Sequence, residues 1–348
     1  MIKKIEYIFN KKSKKIFVIA EMSANHSSDI KNAYKIIDKA KNIGADAIKI
    51  QLYKANKITI DFNKKDFKIK NQNWKKYDSL YNLYKKAETP YDWYDSLKKY
   101  CKKKKIILFS SVFDLETVDF LEKKNCPIYK IASPEITDIP LLVKVAKTNK
   151  PVIISTGLAT EKDLDLAIKT LKKNKCKKII ILKCTSAYPA PIDELNLSSI
   201  KKIEKKYKTV VGFSDHSLGK IAPIVAISFG AKVIEKHMNL EKNNKSVDNF
   251  FSLNVSGFKE MVKNIRDTEK MIGREEIKIS KNSKKNLSGR KSIYVIKDIN
   301  KNEVFTKYNV SSIRPSYGLH PKYFNLILGK KSRRKLKFGQ RMKLSFIN

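Results

Sequence analysis

The chain has 348 residues and a net charge of +41, with 42% hydrophobic and 31% charged residues. The apolar share supports a packed core and excludes wholesale disorder, and the length suits two domains or one large α/β domain with an appendage. No run of about 18 uncharged apolar residues is present, so no bilayer-spanning helix and no membrane partner is expected. Met1-Ile2-Lys3-Lys4-Ile5-Glu6 lacks the apolar stretch and cleavage site of a secretory signal. Cys101, Cys126, Cys176 and Cys184 lack metal-ligand spacing, so reduced thiols in a cytoplasmic protein are expected. The basic residues are 68 lysines and only seven arginines, spread along the chain. A specific nucleic-acid reader favours clustered arginine, so a solvated basic surface is expected, with non-specific polyanion binding at low salt.

Short β-branched runs recur, each followed by a segment of helical length. The expected strands are Ile16–Glu21, Ala47–Gln51, Ile106–Ser110, Ile128–Ile131, Val152–Ser155, Ile179–Cys184, Val210–Ser214 and Val233–His237. Between them, the expected helices include Asp29–Asn42, Tyr91–Lys104, Asp114–Lys123, Ile139–Thr148, Glu161–Lys173 and Ile221–Gly230. Eight such units match a (β/α)8 TIM barrel of about 250 residues. An open doubly wound sheet is the rival, but no G-x-G-x-x-G follows any strand. Tyr53–Glu88, rich in Lys, Asn and Tyr, is too long for a βα loop and reads as an excursion over the barrel mouth. A last helix, Gly257–Ile272, closes the barrel domain at 1–272. A polar linker is expected over 273–289 and a small β-rich domain over 290–348. In that domain the expected pieces are Ser292–Ile296, a turn at Asp298–Asn302, Val304-Phe305 and Ile313–Tyr317.

Barrel chemistry sits at the C-terminal ends of the strands, and here nearly every strand ends in a polar residue. Glu21, Lys49 with Gln51, Ser111, Lys130 with Ser133 and Glu135, Ser155, Tyr188, Ser214, His216 and His237 fall there in turn. His216 and His237 close neighbouring strands, about 5 Å apart in a sheet. They could share one Mn2+, Co2+ or Mg2+ ion with positions left for substrate; two satisfied histidines at a rim are the other reading. Lys49 and Lys130 alternate with apolar neighbours, and burying an unpaired ammonium costs several kcal/mol. With Ser111, Ser133, Ser155 and Ser214 they form an expected anion cradle. His26 lies in Asn25-His26-Ser27-Ser28-Asp29, a capping cluster before a helix, and is expected to be structural.

Seven motifs occur in order: Ala20-Glu21-Met22-Ser23-Ala24-Asn25-His26, Lys49-Ile50-Gln51, Tyr129-Lys130-Ile131-Ala132-Ser133, Ser155-Thr156-Gly157, Lys183-Cys184-Thr185-Ser186-Ala187-Tyr188-Pro189, Gly212-Phe213-Ser214-Asp215-His216-Ser217 and Glu235-Lys236-His237. Together they resemble the sialic acid synthase family over essentially the whole chain, with a tail similar to the family's antifreeze-like (SAF) domain. Glu21-Met22-Ser23-Ala24-Asn25-His26, Ser186 and Arg314-Pro315-Ser316-Tyr317-Gly318-Leu319-His320-Pro321 resemble the family's pseudaminic branch. N-acetylneuraminate and legionaminic acid synthases are the neighbouring branches.

The resemblance implies that phosphoenolpyruvate condenses with an amino sugar, 2,4-diacetamido-2,4,6-trideoxy-altrose for the pseudaminic branch. It implies His216 and His237 as metal ligands, and Lys49, Ser111, Lys130, Ser133, Ser155 and Ser214 as phosphoenolpyruvate ligands. Glu135, Tyr188, Ser186 and Asp248 would face the sugar, and Glu21 and Gln51 are candidates to order the attacking water. Arg314 would reach the sugar from a second subunit, which requires a domain-swapped homodimer. A polyanion-binding protein on a barrel scaffold is the reading from another class.

Overall fold

The β-branched runs pair side by side into one closed parallel barrel, in chain order, with the first strand bonded to the last. The computed structural model describes residues 3–10, 13–241 and 246–348, so Met1 and Ile2 of the N-terminal reading lie outside the described residues. The first of two units, Met1–Gly273, begins with helix α1 (Lys3–Phe9), strand β1 (Phe17–Glu21), helix α2 (Ile30–Ile43) and strand β2 (Ala47–Gln51). Two helices, α3 (Ala55–Ile58) and α4 (Leu80–Ala87), precede α5 (Trp93–Lys104), β3 (Ile107–Val112), α6 (Leu115–Lys123) and β4 (Tyr129–Ile131). Then come α7 (Ile139–Lys147), β5 (Val152–Ser155), α8 (Glu161–Lys173), β6 (Ile179–Cys184) and α9 (Ser199–Tyr207). The unit ends with β7 (Val210–Asp215), α10 (Ile221–Ser228), β8 (Val233–His237) and α11 (Val255–Met271).

The expected (β/α)8 barrel is present. The doubly wound rival fails because β1 bonds β8 along its whole length, from Phe17 opposite Val233 to Glu21 opposite His237. Local chemistry sets the helix ends. Asp29 caps α2 by accepting from the Lys31 N–H, Gly44 closes it in the left-handed region, and Thr160 with Asp163 forms a capping box on α8. Helix α1 was not foreseen. It is seven residues long, too short to register as a period, yet its Ile5 and Ile8 are buried in the barrel's apolar cluster. Strand β3 runs to Val112 and so takes in Ser110 and Ser111, which had been read as its end.

The second unit, Arg274–Asn348, packs its own core of Ile293, Val295, Ile299, Phe305, Val310, Ile327, Leu336, Met342 and Phe346. Strands β9 (Ser292–Val295) and β10 (Val310–Ile313) pair antiparallel, and a short helix α12 (Phe324–Ile327) follows. The strand expected at Ile313–Tyr317 is instead β10, which ends at Ile313. Pro315 has no N–H to offer a ladder, so pairing stops before it. Residues 283–289 form a 3-10 turn whose Leu287 and Ser288 carbonyls accept from Ser316.

Gly212 leaves no room for a side chain between the barrel strands. A Cβ there would lie 2.4 Å from the Val233 carbonyl oxygen and 2.6 Å from Leu182 Cδ2. Gly212→Ala is expected to cost about 1–3 kcal/mol through overpacking, read as a lower urea midpoint with an unchanged m-value. Wild-type stability in that variant would show that the strands can part.

Candidate active site

Alternate residues on a strand face opposite sides. The parity that brings Glu21 of β1, Lys49 of β2, Lys130 of β4 and Glu235 of β8 together leaves each no more than 3% exposed. Lys49 Nζ lies 2.7 Å from Glu21 Oε2 and 3.2 Å from Glu235 Oε1, and Lys130 Nζ lies 3.5 Å from that same Oε1. Lys49 also donates to Ser111 Oγ at 3.1 Å, Ser214 Oγ donates to Glu235 Oε1 at 2.9 Å, and the Ser23 N–H donates to Glu21 Oε1 at 2.7 Å. Taking such charges out of water costs several kcal/mol per ion, repaid only where geometry is good. Four together at a barrel mouth are the signature of a working site.

The cluster spreads its own pKa values. Burial raises Glu21 against the pull of Lys49, to about 7. Burial also acts on Glu235, but Lys130 and Lys49 outweigh it and bring the carboxyl down to about 2. Burial lowers Lys130, with Glu235 acting against it. On Lys49, by contrast, Glu21 and Glu235 overcome burial and raise the ammonium. Lys130 is thus the less satisfied cation. The buried Ser155 Oγ and Glu235 Oε2 have no hydrogen-bond partner among the described residues.

His237 ends β8 and His216 follows β7, with ring centroids 5.4 Å apart. His216 Nδ1 donates to the Thr185 carbonyl at 3.1 Å, which leaves the Nε2 lone pair free, and Cys184 Sγ lies 3.6 Å from the same Nδ1. Burial would lower His216, but Cys184 beside it prevails and raises it. His237 is lowered well below its usual range by burial, with His216 and Lys49 adding to the effect. Its buried Nδ1 has no hydrogen-bond partner among the described residues and sits 3.8 Å from Asp248 Oδ2. Two imidazole nitrogens at adjacent strand ends, one of them orphaned, fit the donor set of a divalent ion with open positions.

The other expected residues fall around this centre. Ser133 Oγ accepts from the Leu158 N–H at 2.5 Å. A Cβ on Gly157 would sit 2.1 Å from Ser186 Oγ and 3.0 Å from Ser133 Oγ, so these three share one tight corner. Glu135 lies in a 3-10 turn after β4; burial raises its carboxyl to about 7, and its Oε2 is unpartnered. Gln51 ends β2 opposite Ser111. The Tyr188 ring lies tilted against His216 with centroids 4.5 Å apart, and burial raises its hydroxyl. Asp248 is buried and accepts from Ser23 Oγ at 2.5 Å. Arg314 belongs to the second unit, where it is exposed just after β10. His26 is structural as expected: Nδ1 accepts from the Ser28 N–H, Nε2 meets Thr89 Oγ1, and burial lowers it to about 4.

Three features escaped the sequence reading. Glu235 was placed only as a strand end, although its shared parity with His237 pointed it inward. Lys236 takes the opposite parity and pairs with Asp215 at 2.5 Å. Phe251 fills the space between Tyr188 and His237, at 5.1 Å and 4.7 Å from their rings, and nothing in its local pattern announced it.

Fold and site together define an enzyme built on a (β/α)8 barrel, with a buried cluster of two lysines and two glutamates beneath a pair of imidazoles. Residues 36–277 match the NeuB family and residues 290–340 match the SAF domain. The pseudaminic acid synthase of Campylobacter jejuni subsp. jejuni serotype O:23/36 (strain 81-176) is 43% identical, covering 95% of this chain and 96% of the relative. The pseudaminic acid synthase of Helicobacter pylori (strain ATCC 700392 / 26695) is 40% identical, covering 92% and 94%. The crystal structure of spore coat polysaccharide biosynthesis protein spsE from Bacillus subtilis superposes with a TM-score of 0.64 at 32% identity, covering 96% and 95% of the two chains. The chain belongs to the NeuB family and carries a C-terminal SAF domain.

Because Glu235 is held at about 2 against an ordinary 4.5, its contribution to stability is complete above about 4.5 and is lost as pH falls through about 2. Glu235→Gln is therefore expected to lower stability at pH 7 by about 3 kcal/mol or more, the cost of breaking a buried pair. The melting-temperature gap from wild type should narrow as pH drops below 4.5; a gap constant with pH would disprove the coupling.

Proposed function

We propose that the chain is a pseudaminic acid synthase, condensing phosphoenolpyruvate with 2,4-diacetamido-2,4,6-trideoxy-altrose and releasing phosphate. The observation that carries this reading is the buried Glu21–Lys49–Glu235–Lys130 cluster beneath His216 and His237. Lys130, lowered by burial, and Ser155 Oγ, unpartnered, are groups that gain an ion or hydrogen bond when a phosphate or carboxylate arrives. Lys49, Ser111, Ser133 and Ser214 complete the cradle. These donors are fixed by strands, so they are oriented before charge develops.

His216 and His237 would hold a divalent ion (Mn2+, Co2+ or Mg2+), which when bound supplies Lewis-acid polarisation of the sugar's C1 aldehyde. Carbon C3 of phosphoenolpyruvate bonds to C1 of the sugar, and protonated Glu135 gives its proton to the aldehyde oxygen. Electron deficiency is left at C2. Water, ordered by Glu21 and Gln51, adds there and yields a proton to Glu21. The C2–O bond to phosphate then breaks as the C2 hydroxyl gives up its proton to the departing phosphate, leaving the keto group and inorganic phosphate. Tyr188, Ser186 and Asp248 orient the sugar. We further assign a homodimer in which Arg314 of one subunit reaches the sugar's acetamido group in the barrel of the other.

The direct test is mass spectrometry of the product together with phosphate release from the two substrates. In ¹⁸O-water the released phosphate should stay unlabelled, and label in phosphate would mean P–O cleavage. Chelation should abolish turnover and added Mn2+ or Co2+ restore it.

With Glu21 working as the base and Glu135 as the acid, both held near 7, the pH profile should be a bell centred near 7. Glu21→Gln should remove the acidic limb and Glu135→Gln the alkaline limb, each with kcat lowered about 10²–10⁴-fold. Retention of both limbs in either variant would reverse the assignment. For the dimer, Arg314→Ala mixed with Glu135→Gln after subunit exchange should regain activity. Absence of rescue would place Arg314 in cis or outside the site.

A further inference from the structure

The segment 53–88 is an insertion between β2 and α5, and its ends are tied by a bridge between Leu52 and Thr89. Inside it, residues 72–77 form a 3-10 turn that reaches across the barrel mouth. Asn73 Nδ2 donates to the Tyr188 carbonyl at 2.9 Å, and Trp74 Nε1 donates to the Val247 carbonyl at 3.1 Å. The Trp74 ring lies 5.5 Å from Tyr188 and 5.7 Å from Phe250. The insertion therefore joins two loops that follow different strands, β6 and β8. These loops carry Tyr188, against His216, and Asp248, beside His237.

A second observation points the same way. Ala24, Leu83 and Val247 form a small apolar cluster of their own, with Ile69, Trp74, Tyr77 and Tyr84 packed on it, distinct from the barrel core. Ala24 belongs to the turn after β1, where Ser23 holds Asp248 and Asn25 accepts from Ser246 Oγ and donates to the Met238 carbonyl. Loops after β1, β2 and β8 thus share one satellite core, and Trp74 with Asn73 is its link to the loop after β6. A cluster this small opens at lower free energy than the barrel beneath it. Lys49, Lys130, Ser155 and Ser214 stand on strands and do not depend on it.

We propose that Trp74, assisted by Asn73, is a positioning residue: a clasp that sets the sugar-binding loops while leaving the anion cradle untouched. The inference rests on the reading that Tyr188 and Asp248 face the sugar. Trp74→Ala should raise the sugar KM by about 10- to 100-fold, as loss of one hydrogen bond and two ring contacts implies, with the phosphoenolpyruvate KM within about twofold of wild type. Trp74→Phe keeps a ring but loses the N–H, and its sugar KM should fall between the two.

Limited trypsin digestion without substrate supplies a readout that needs no turnover, because the insertion carries lysines along its length, among them Lys64, Lys68 and Lys76. Trp74→Ala should be cut within 53–88 about tenfold faster or more, with the rest of the barrel as resistant as before. An unchanged cleavage rate would overturn the clasp, as would a parallel rise in both KM values. If wild-type protein releases no phosphate from the two substrates, the proposed function falls, while the digestion still decides whether Trp74 fastens the loops.

Discussion

The structure turns on one constraint: Lys49 and Lys130 are held out of water beside Glu21 and Glu235 at the centre of a closed barrel. Neither lysine would remain charged there alone, since burial favours the neutral amine over the ammonium. Glu235, bonded to both lysines and to Ser214, keeps a charged cradle possible. Its position depends on β8 closing against β1, because Glu21 and Lys49 lie in register at one seam and Glu21 and His237 at the next. Barrel closure and site assembly are therefore the same event. That is why the four charged residues of the cluster stand on strands rather than in loops, where a displacement of an ångström would cost orientation.

The barrel was legible because its signals are local. Four β-branched runs begin and end where the expected strands do, and α8 occupies its expected range. Period-2 alternation also made Lys49 and Lys130 readable as buried cations. What local pattern could not supply was the partner of each charge. Glu235 was visible as a residue but not as the hub, because pairing across β2, β4 and β8 is decided by closure. The tail misled for a similar reason. Ile313–Tyr317 has strand-like composition, but the ladder needs N–H groups that Pro315 lacks, and Val310 supplies the buried end of the pairing instead. Trp74 and Phe251 lie outside any periodic segment, and only three-dimensional proximity reveals them.

The mouth is built in two tiers of unequal stiffness. On the proposed function the strand-borne groups would serve the anion, whose charge is the same in every turnover and rewards fixed donors. Loop-borne groups, Tyr188, Ser186, Asp248 and the aromatic shelf of Phe250 and Phe251, would on the proposed function serve the end that must tell one sugar from another. Discrimination there depends on shape and hydrogen bonding rather than on charge. Placing it on loops lets it vary without disturbing the cluster below.

Lysine plays opposite parts in the two settings. Most of the 68 lysines are solvated, and their ion pairs with exposed carboxylates, such as Lys202 with Glu161 and Lys263 with Asp267, contribute little individually. Their sum is a broad positive field that draws multiply charged anions toward the surface and weakens with salt. The field has no address, whereas the buried pair has one. At Lys49 and Lys130 the same side chain, stripped of water and set against two carboxylates, would on the proposed function become a specific receptor, because an anion that enters must replace interactions the chain has already arranged. The charge of the exposed lysines is thus spread and exchangeable, whereas that of the buried two is fixed in place against Glu235.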